Sequence, residues 1–251
     1  GTQLKPQYAD HITTGIFCSP ENQQIELSVE AYYSIYHNQY RLPITDNIFF
    51  ERDIDFTPGH GTIKSFGGEL SFRKLSGRFT GMMSYTLSKT MRKESEINSG
   101  SYYFAYYDRR HDLVLSVNYK AGRRTDISSN WVYMSGNPYS LPVGKYELRG
   151  RSVPLYDQDH LYNRRMPDYH RLDLSVRYGL GKSTPFRHHL TLMLYNVYSR
   201  RNPVFYSYSD VADGDTGKNP NSDYHTRSFS MMGYYFFNFF PSIAYEFKFG
   251  K

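Results

Sequence analysis

The sequence predicts an all-β fold, the wall of an antiparallel transmembrane β-barrel represented by a C-terminal segment of about nine strands. Three observations predict it. Apolar and polar residues alternate with period two in run after run, and the connections between runs alternate short and long. Aromatics make up 18% of 251 residues, with 26 Tyr and 17 Phe against one Trp.

The elements follow in chain order. A weak opening strand covers about Ala9 to Cys18. Next, Ile25, Leu27, Val29, Ala31, Tyr33 and Ile35 interleave with Glu26, Ser28, Glu30, Tyr32 and Ser34. Side chains two apart share one face of a strand, so this run has one apolar face. Phe66, Gly68, Leu70 and Phe72 repeat the pattern against Gly67, Glu69, Ser71 and Arg73. Ser76-Gly77 is a hairpin turn signal, and Phe79, Met83, Tyr85 and Leu87 continue beyond it. Leu113, Leu115, Val117 and Tyr119 form another run, which Ala121 to Arg124 turns into Ile127, Trp131 and Tyr133. Leu172, Leu174, Val176 and Tyr178 then pass through Gly179 to Arg187 into Leu190, Leu192 and Leu194. Ile243, Tyr245, Phe247 and Phe249 form the last strand.

The connections separate this pattern from a soluble sandwich. The short ones are Ser19 to Gln23, Ser76-Gly77, Ala121 to Arg124 and Gly179 to Arg187. The long ones run from about His37 to Gly61, Met91 to Arg109, Ser135 to Asp168 and Arg200 to His225. Outer-membrane barrels place short turns in the periplasm and long loops outside. With that orientation the last strand descends and leaves the C-terminus inside. An odd strand count, and a start at Gly1 without a leader, lead us to expect that residues 1–251 are the C-terminal part of one longer barrel domain. Phe72, Phe79, Tyr119, Tyr178 and Phe249 recur at one end of the apolar face, as a girdle at the outer-membrane lipid boundary does. Leu113, Leu115, Val117, Leu172, Leu174, Val176, Leu190, Leu192 and Leu194 are expected on the convex, lipid-facing side.

Composition excludes other classes. The net charge of +6 is spread over scattered pairs such as Arg109-Arg110, Arg123-Arg124 and Arg164-Arg165, with no basic stripe, so no nucleic-acid partner is expected. Cys18 is the single cysteine, which allows neither an intrachain disulfide nor a thiolate zinc cluster. The best apolar stretch, Met231 to Phe247, holds Asn238, Pro241 and Glu246, so a helix is not the spanning unit.

Certain stretches together resemble the TonB-dependent outer-membrane receptors. They are Tyr85-Thr86-Leu87-Ser88-Lys89, Asp108-Arg109-Arg110-His111-Asp112-Leu113, Arg165-Met166-Pro167-Asp168-Tyr169-His170-Arg171-Leu172-Asp173, Tyr195-Asn196-Val197-Tyr198 and Arg201-Asn202-Pro203. A last strand ending at Phe249 completes the set, and the resemblance extends over essentially the whole chain. It implies a parent barrel of about 22 strands with a plugged lumen. It also implies that the plug, the N-terminal barrel strands and the TonB-contacting segment precede Gly1. The implied location is the outer membrane of a Gram-negative cell, and the implied role is energised uptake of a metal chelate, vitamin, oligosaccharide or peptide. Two readings compete with it, a passive porin and a soluble β-rich carbohydrate-binding module.

No catalytic constellation stands out, and an enzyme is not expected. Asp108 to Asp112 mixes carboxylates, guanidinia and an imidazole, but it sits where a long loop re-enters a strand, and salt bridges there fix the rim. His188-His189 place their rings on opposite faces, and His160 and His170 are ten residues apart, so neither pair has a chelating spacing; no metal or other cofactor is expected. Asp213-Gly214-Asp215-Thr216-Gly217 lacks the remaining ligands of a calcium loop and reads as a polar tip. The ligand-contact candidates are Tyr102, Tyr103, Tyr106, Tyr107, Tyr206 and Tyr208, whose rings in long loops suit stacking on a sugar or a chelate.

Overall fold

The computed structural model describes residues 5–20, 24–41, 59–148, 151–157, 159–180, 187–211 and 228–248. Among these, nine strands form one antiparallel meander. They are β1 (Tyr8–Cys18), β2 (Ile25–Arg41), β3 (Gly59–Lys74), β4 (Phe79–Glu94), β5 (His111–Lys120), β6 (Thr125–Met134), β7 (Tyr169–Leu180), β8 (Arg187–Tyr195) and β9 (Phe240–Lys248). Each pairs with its sequence neighbours, and β1 and β9 stand at the two free edges. The sheet does not close on itself. Helix among the described residues is limited to a single 3-10 turn, Asn98–Gly100.

The register carries the alternation laterally from strand to strand. Leu27, Phe72, Met83, Leu115, Trp131 and Leu172 lie in one row across β2 to β7. Lower down, Phe79, Tyr119, Ile127, Val176, Leu192 and Ile243 form a second row across β4 to β9. The opposite face carries Glu26, Arg73, Met82, Ser116, Asn130 and Asp173 in one such row. Among the described residues no second sheet covers the apolar face. Leu115 is 40% exposed, Leu192 42% and Ile243 73%, whereas in a soluble sandwich such residues would be interior. Leu113, Leu172, Leu174 and Leu194 are half-buried by their strand neighbours. The soluble-module reading fails on this face.

Strand lengths depart from the sequence reading at one end. β2, β3 and β4 have 17, 16 and 16 residues, against about 9 to 11 for a tilted span. All three project past the apolar band by roughly six residues, about 20 Å. In β2 a bulge between Tyr36 and Gln39 accompanies this extension. There Asn38 takes a positive φ of 53° and its side-chain amide donates to the Pro6 carbonyl at 2.8 Å.

The packed core lies at the long-connection end, not within the sheet. Ile97, Tyr103 and Leu161 are buried together with Tyr156 and Tyr162 against them. Two accessory hairpins stand beside this cluster, Gly144–Leu148 with Arg151–Leu155 and Phe205–Val211 with Ser228–Tyr234. On the polar face a cavity of about 580 Å³ is lined by Ser116, Asn118, Asn130 and Ser175, with Tyr195 and Phe237 above.

Candidate functional site

The residues singled out as motifs converge on the rim where the long connections leave the sheet. Asp108 is 1% exposed. Its carboxylate accepts the Thr90 backbone N–H at 2.6 Å and a short bond from the Arg165 guanidinium. Arg165 donates further to the Gly136 carbonyl at 3.0 Å and lies over the Phe104 ring, 4.7 Å from its centre. The Asp108 segment and the Arg165 segment are thereby clamped to each other, to the top of β4 and to the end of β6. Asp108 precedes β5, which starts only at His111, and its salt-bridge partner is Arg165, outside the Asp108 to Asp112 segment.

Asp168 forms the second clamp. It accepts the Tyr133 hydroxyl at 2.7 Å and the Gly136 N–H at 3.0 Å, and its backbone carbonyl accepts from Arg200 at 2.9 Å. The hydrogen bond from Tyr133 and then that from Gly136 hold its carboxyl below the usual range. Gly136 is required by close approach: a Cβ there would stand 1.6 Å from the Met166 carbonyl oxygen.

A third clamp uses amides. Asn202 accepts from the His170 N–H at 3.2 Å and donates to the His170 carbonyl at 3.0 Å. Asn196, at a positive φ of 52° and almost fully buried, accepts from the Arg200 N–H at 3.1 Å and donates to the Arg200 carbonyl at 2.9 Å. Its own N–H goes to Asp173 at 2.9 Å. Arg171 lies over Tyr195 at 4.2 Å and bonds Asp173 at 2.9 Å.

The six tyrosine candidates separate into distinct environments. Tyr103 is packed inside the rim: it is 6% exposed, stacks on Tyr162 at 5.6 Å and donates to Glu94 at 2.9 Å. Tyr102 sits between the Lys64 and Lys93 amines on the apolar-face side of the sheet. Tyr106 and Tyr107 are exposed and meet edge to face at 4.9 Å. Burial raises the Tyr107 hydroxyl, an effect that nearby Arg92 opposes. Tyr206 and Tyr208 are half-buried in a cluster with two rings the sequence reading missed, Tyr139 at 5.2 Å from Tyr206 and Tyr156 at 6.4 Å from Tyr208. Burial, followed by the neighbouring Tyr139, Tyr156 and Tyr206 hydroxyls, pushes the Tyr208 hydroxyl up to about 12.

Of the girdle residues, Phe72, Phe79 and Tyr178 are exposed on the apolar face near the short turns, and Phe79 stacks on Tyr119 at 4.4 Å. Phe249 and the Asp213 to Gly217 segment lie outside the described residues. A second aromatic belt went unread: Tyr33, Phe66, Tyr85, Trp131 and Tyr133 share the same face higher up. The signal was present, since Phe66, Tyr85 and Tyr133 each stand six residues along the strand from an apolar residue near the short-turn end, Phe72, Phe79 and Ile127. His160 bonds Asp157 at 2.7 Å and His170 bonds Tyr198 at 2.8 Å, in separate places.

The same architecture recurs among solved structures. The ferric-catecholate import receptor Fiu from E. coli K12 superposes with a TM-score of 0.56 at 17% identity, covering 81% of this chain and 25% of that one. The ferripyoverdine receptor of Pseudomonas aeruginosa, bound to ferripyoverdine, gives 0.57 at 15% identity, over 80% of this chain and 24% of that one. The FpvAI–pyocin S2 complex gives 0.60 at 13% identity, over 97% and 28%. At these identities the likeness is one of fold, and the chain spans about a quarter of the length of these structures. No curated protein matches the sequence. The family model described as TonB dependent receptor-like, beta-barrel matches residues 1–198. With that match over most of its length, an open antiparallel meander and one uncovered apolar face, the chain belongs to the TonB-dependent receptor β-barrel family.

Proposed function

We propose that residues 1–251 form part of the barrel wall and the extracellular loops of an outer-membrane transporter that takes up a scarce ligand with energy delivered through TonB. The ligand classes are a metal chelate, a vitamin, an oligosaccharide or a peptide. Further barrel strands and a plug of the same protein complete the machine, pairing with the free edges of β1 and β9. Lipid meets the apolar face, with Phe72, Phe79, Tyr119 and Tyr178 at the periplasmic boundary. Receptors of this family transport rather than catalyse.

One observation supports the reading: the described connections around Asp108, Asp168 and Asn196 meet at a single end of the sheet and are held there by side-chain clamps. A rigid rim presents aromatic surface in a fixed geometry, which lowers the ordering cost of capturing a ligand. Tyr106, Tyr107, Tyr206 and Tyr208 are the proposed ligand contacts. Fiu and the ferripyoverdine receptor are ferric-chelate receptors by name, which puts ferric chelates first in a screen. The test is uptake of labelled ligands by cells carrying the full-length receptor, with and without TonB. Uptake should vanish without TonB, and Tyr206→Ala with Tyr208→Ala should weaken binding at least about tenfold, as for one lost aromatic anchor. Uptake that persists without TonB would make the protein a passive porin.

A further inference from the structure

The upper edge of the apolar face carries a cationic patch that ligand capture does not use. Along β3 the outward positions run Phe72, Leu70, Gly68 and Phe66 and then change to Lys64. Along β4 they run Phe79, Gly81, Met83, Tyr85 and Leu87 and then change to Lys89, with Lys93 two positions further out on the same face. Lys64 lies directly opposite Met91, between these two lysines in height. From Phe79 to Lys89 is ten residues, which at about 3.4 Å each and a tilt near 40° makes a rise of about 26 Å. The apolar band of such barrels is about 25 Å tall. Lys89 therefore sits at the outer boundary of the hydrocarbon, with Lys64 and Lys93 about 5 and 10 Å above it by the same measure.

The patch is built on a fixed support. The segment before β5 folds back so that Phe104 pairs with Met91 and faces outward. Lys89 and Arg110 stand 5.6 and 6.0 Å from the Phe104 ring centre, while Lys64 and Lys93 stand 4.9 and 5.6 Å from that of Tyr102. Aromatic faces hold these amines in place without neutralising them. The salt bridges among the described residues engage other side chains, and Asp10, on the same face two strands away, pairs with His37. Positive charge at headgroup depth, facing away from the lumen, is complementary to a lipid phosphate and out of reach of a ligand inside the barrel.

We propose that Lys64, Lys89 and Lys93, backed by Tyr102 and Phe104, bind the phosphates of an outer-leaflet glycolipid on the outside of the wall. This rests on the reading that the apolar face meets lipid. Each basic residue close to an anionic surface contributes about fivefold to binding, so removing three should cost up to about a hundredfold. The experiment uses the full-length receptor in phosphatidylcholine nanodiscs doped with diphosphoryl lipid A, with retained lipid A counted by native mass spectrometry. The variant K64Q/K89Q/K93Q should retain at least tenfold less lipid A than wild type while remaining heat-modifiable. K64R/K89R/K93R, which keeps the charge and shows that the positions tolerate substitution, should retain it. Equal retention by wild type and the glutamine variant overturns the proposal. So does displacement of lipid A by millimolar inorganic phosphate, the mark of a general anion site. A nitroxide at Leu115 or Val176 tests the underlying orientation separately. Collisions with oxygen but not with an aqueous nickel complex there, combined with a failed lipid A result, would sink this inference and leave the barrel reading standing.

Discussion

Replacing Asp108 by Ala should open the rim without unfolding the wall. The carboxylate is fully buried, and its removal leaves the Thr90 N–H without its 2.6 Å acceptor, inside a residue that is itself buried. An unsatisfied buried donor costs about 1–3 kcal/mol. Removing one member of a buried ion pair costs about 3–5 kcal/mol, but the Arg165 side chain is 32% exposed and regains hydration, so the lower end applies. Taken together, about 3 kcal/mol of local stability should go, a change of roughly 150-fold in the opening equilibrium. Hydrogen exchange of the full-length receptor in nanodiscs reads this directly at Ala105 and Met166, whose N–H groups bond to Thr90 and Asn137 carbonyls within the clamp. Those amides should exchange about 150-fold faster, and amides of Leu115 and Val176 in the wall should not change. Asp108→Asn keeps an acceptor for Thr90 and should give about a tenfold change, in line with losing only the charge-assisted part of the bond. Exchange at Ala105 within twofold of wild type would refute the clamp, as would equal acceleration in wall and rim.

Four further outcomes are expected. Leu115→Arg, about 10 Å above the Phe79–Tyr119 row on the lipid side, should cost about 2–4 kcal/mol in reversible unfolding from lipid vesicles, whereas an exposed soluble site would barely respond. Gly136→Ala forces the Met166 carbonyl to move, and overpacking of this kind costs about 1–3 kcal/mol, visible as protease cutting near Met166. Asp168 has a depressed carboxyl, so its contribution is present above the ordinary Asp value near 4 and is lost as pH falls below it. Rim exchange should rise below about pH 4 and lose that acid step in Asp168→Asn. Asn196→Ala removes the amide that pairs both Arg200 backbone groups and puts Ala at a positive φ, and thermal melting should fall by several degrees, as for about 2 kcal/mol.

The wall was legible because a lipid face and an aqueous face impose period two, and nothing else in this chain does so for as long. Parity read from Leu27 or Val176 fixed which side chains share a face, and neighbouring strands agree with it. The strand ends were not legible for the same reason. Above Phe66 and Leu87 the outward face leaves the apolar band while the inward face packs under the rim segments, burying Ile63, Thr90 and Glu94 alike, so His60 to Lys64 and Lys89 to Glu94 show no contrast, although the backbone ladder continues through them. The tyrosines of the loops were read as one class because spacing says nothing about what folds over them. Tyr103 is buried by Tyr162, 59 positions away, and Tyr208 by Tyr156 across two separate hairpins. Likewise Asp108 announced a salt bridge, but its partner lies 57 residues on, a separation that only the assembled rim determines.

The distinctive segments of the sequence belong to the rim because the two surfaces of the wall are satisfied cheaply. Any alternation of apolar and polar residues keeps a lipid side and a water side, and the ladder satisfies the backbone whatever the side chains are. At the rim the ladder stops while the chain remains packed, so backbone groups there need side-chain partners. Asp108 serves the Thr90 N–H, Asp168 that of Gly136, Asp173 that of Asn196, Asn196 that of Arg200 and Asn202 that of His170. Each of these is an Asp or Asn, the short side chains whose oxygens stand in for a missing carbonyl. The segments Asp108 to Leu113, Arg165 to Asp173, Tyr195 to Tyr198 and Arg201 to Pro203 are distinctive because that substitution demands a particular residue at a particular place.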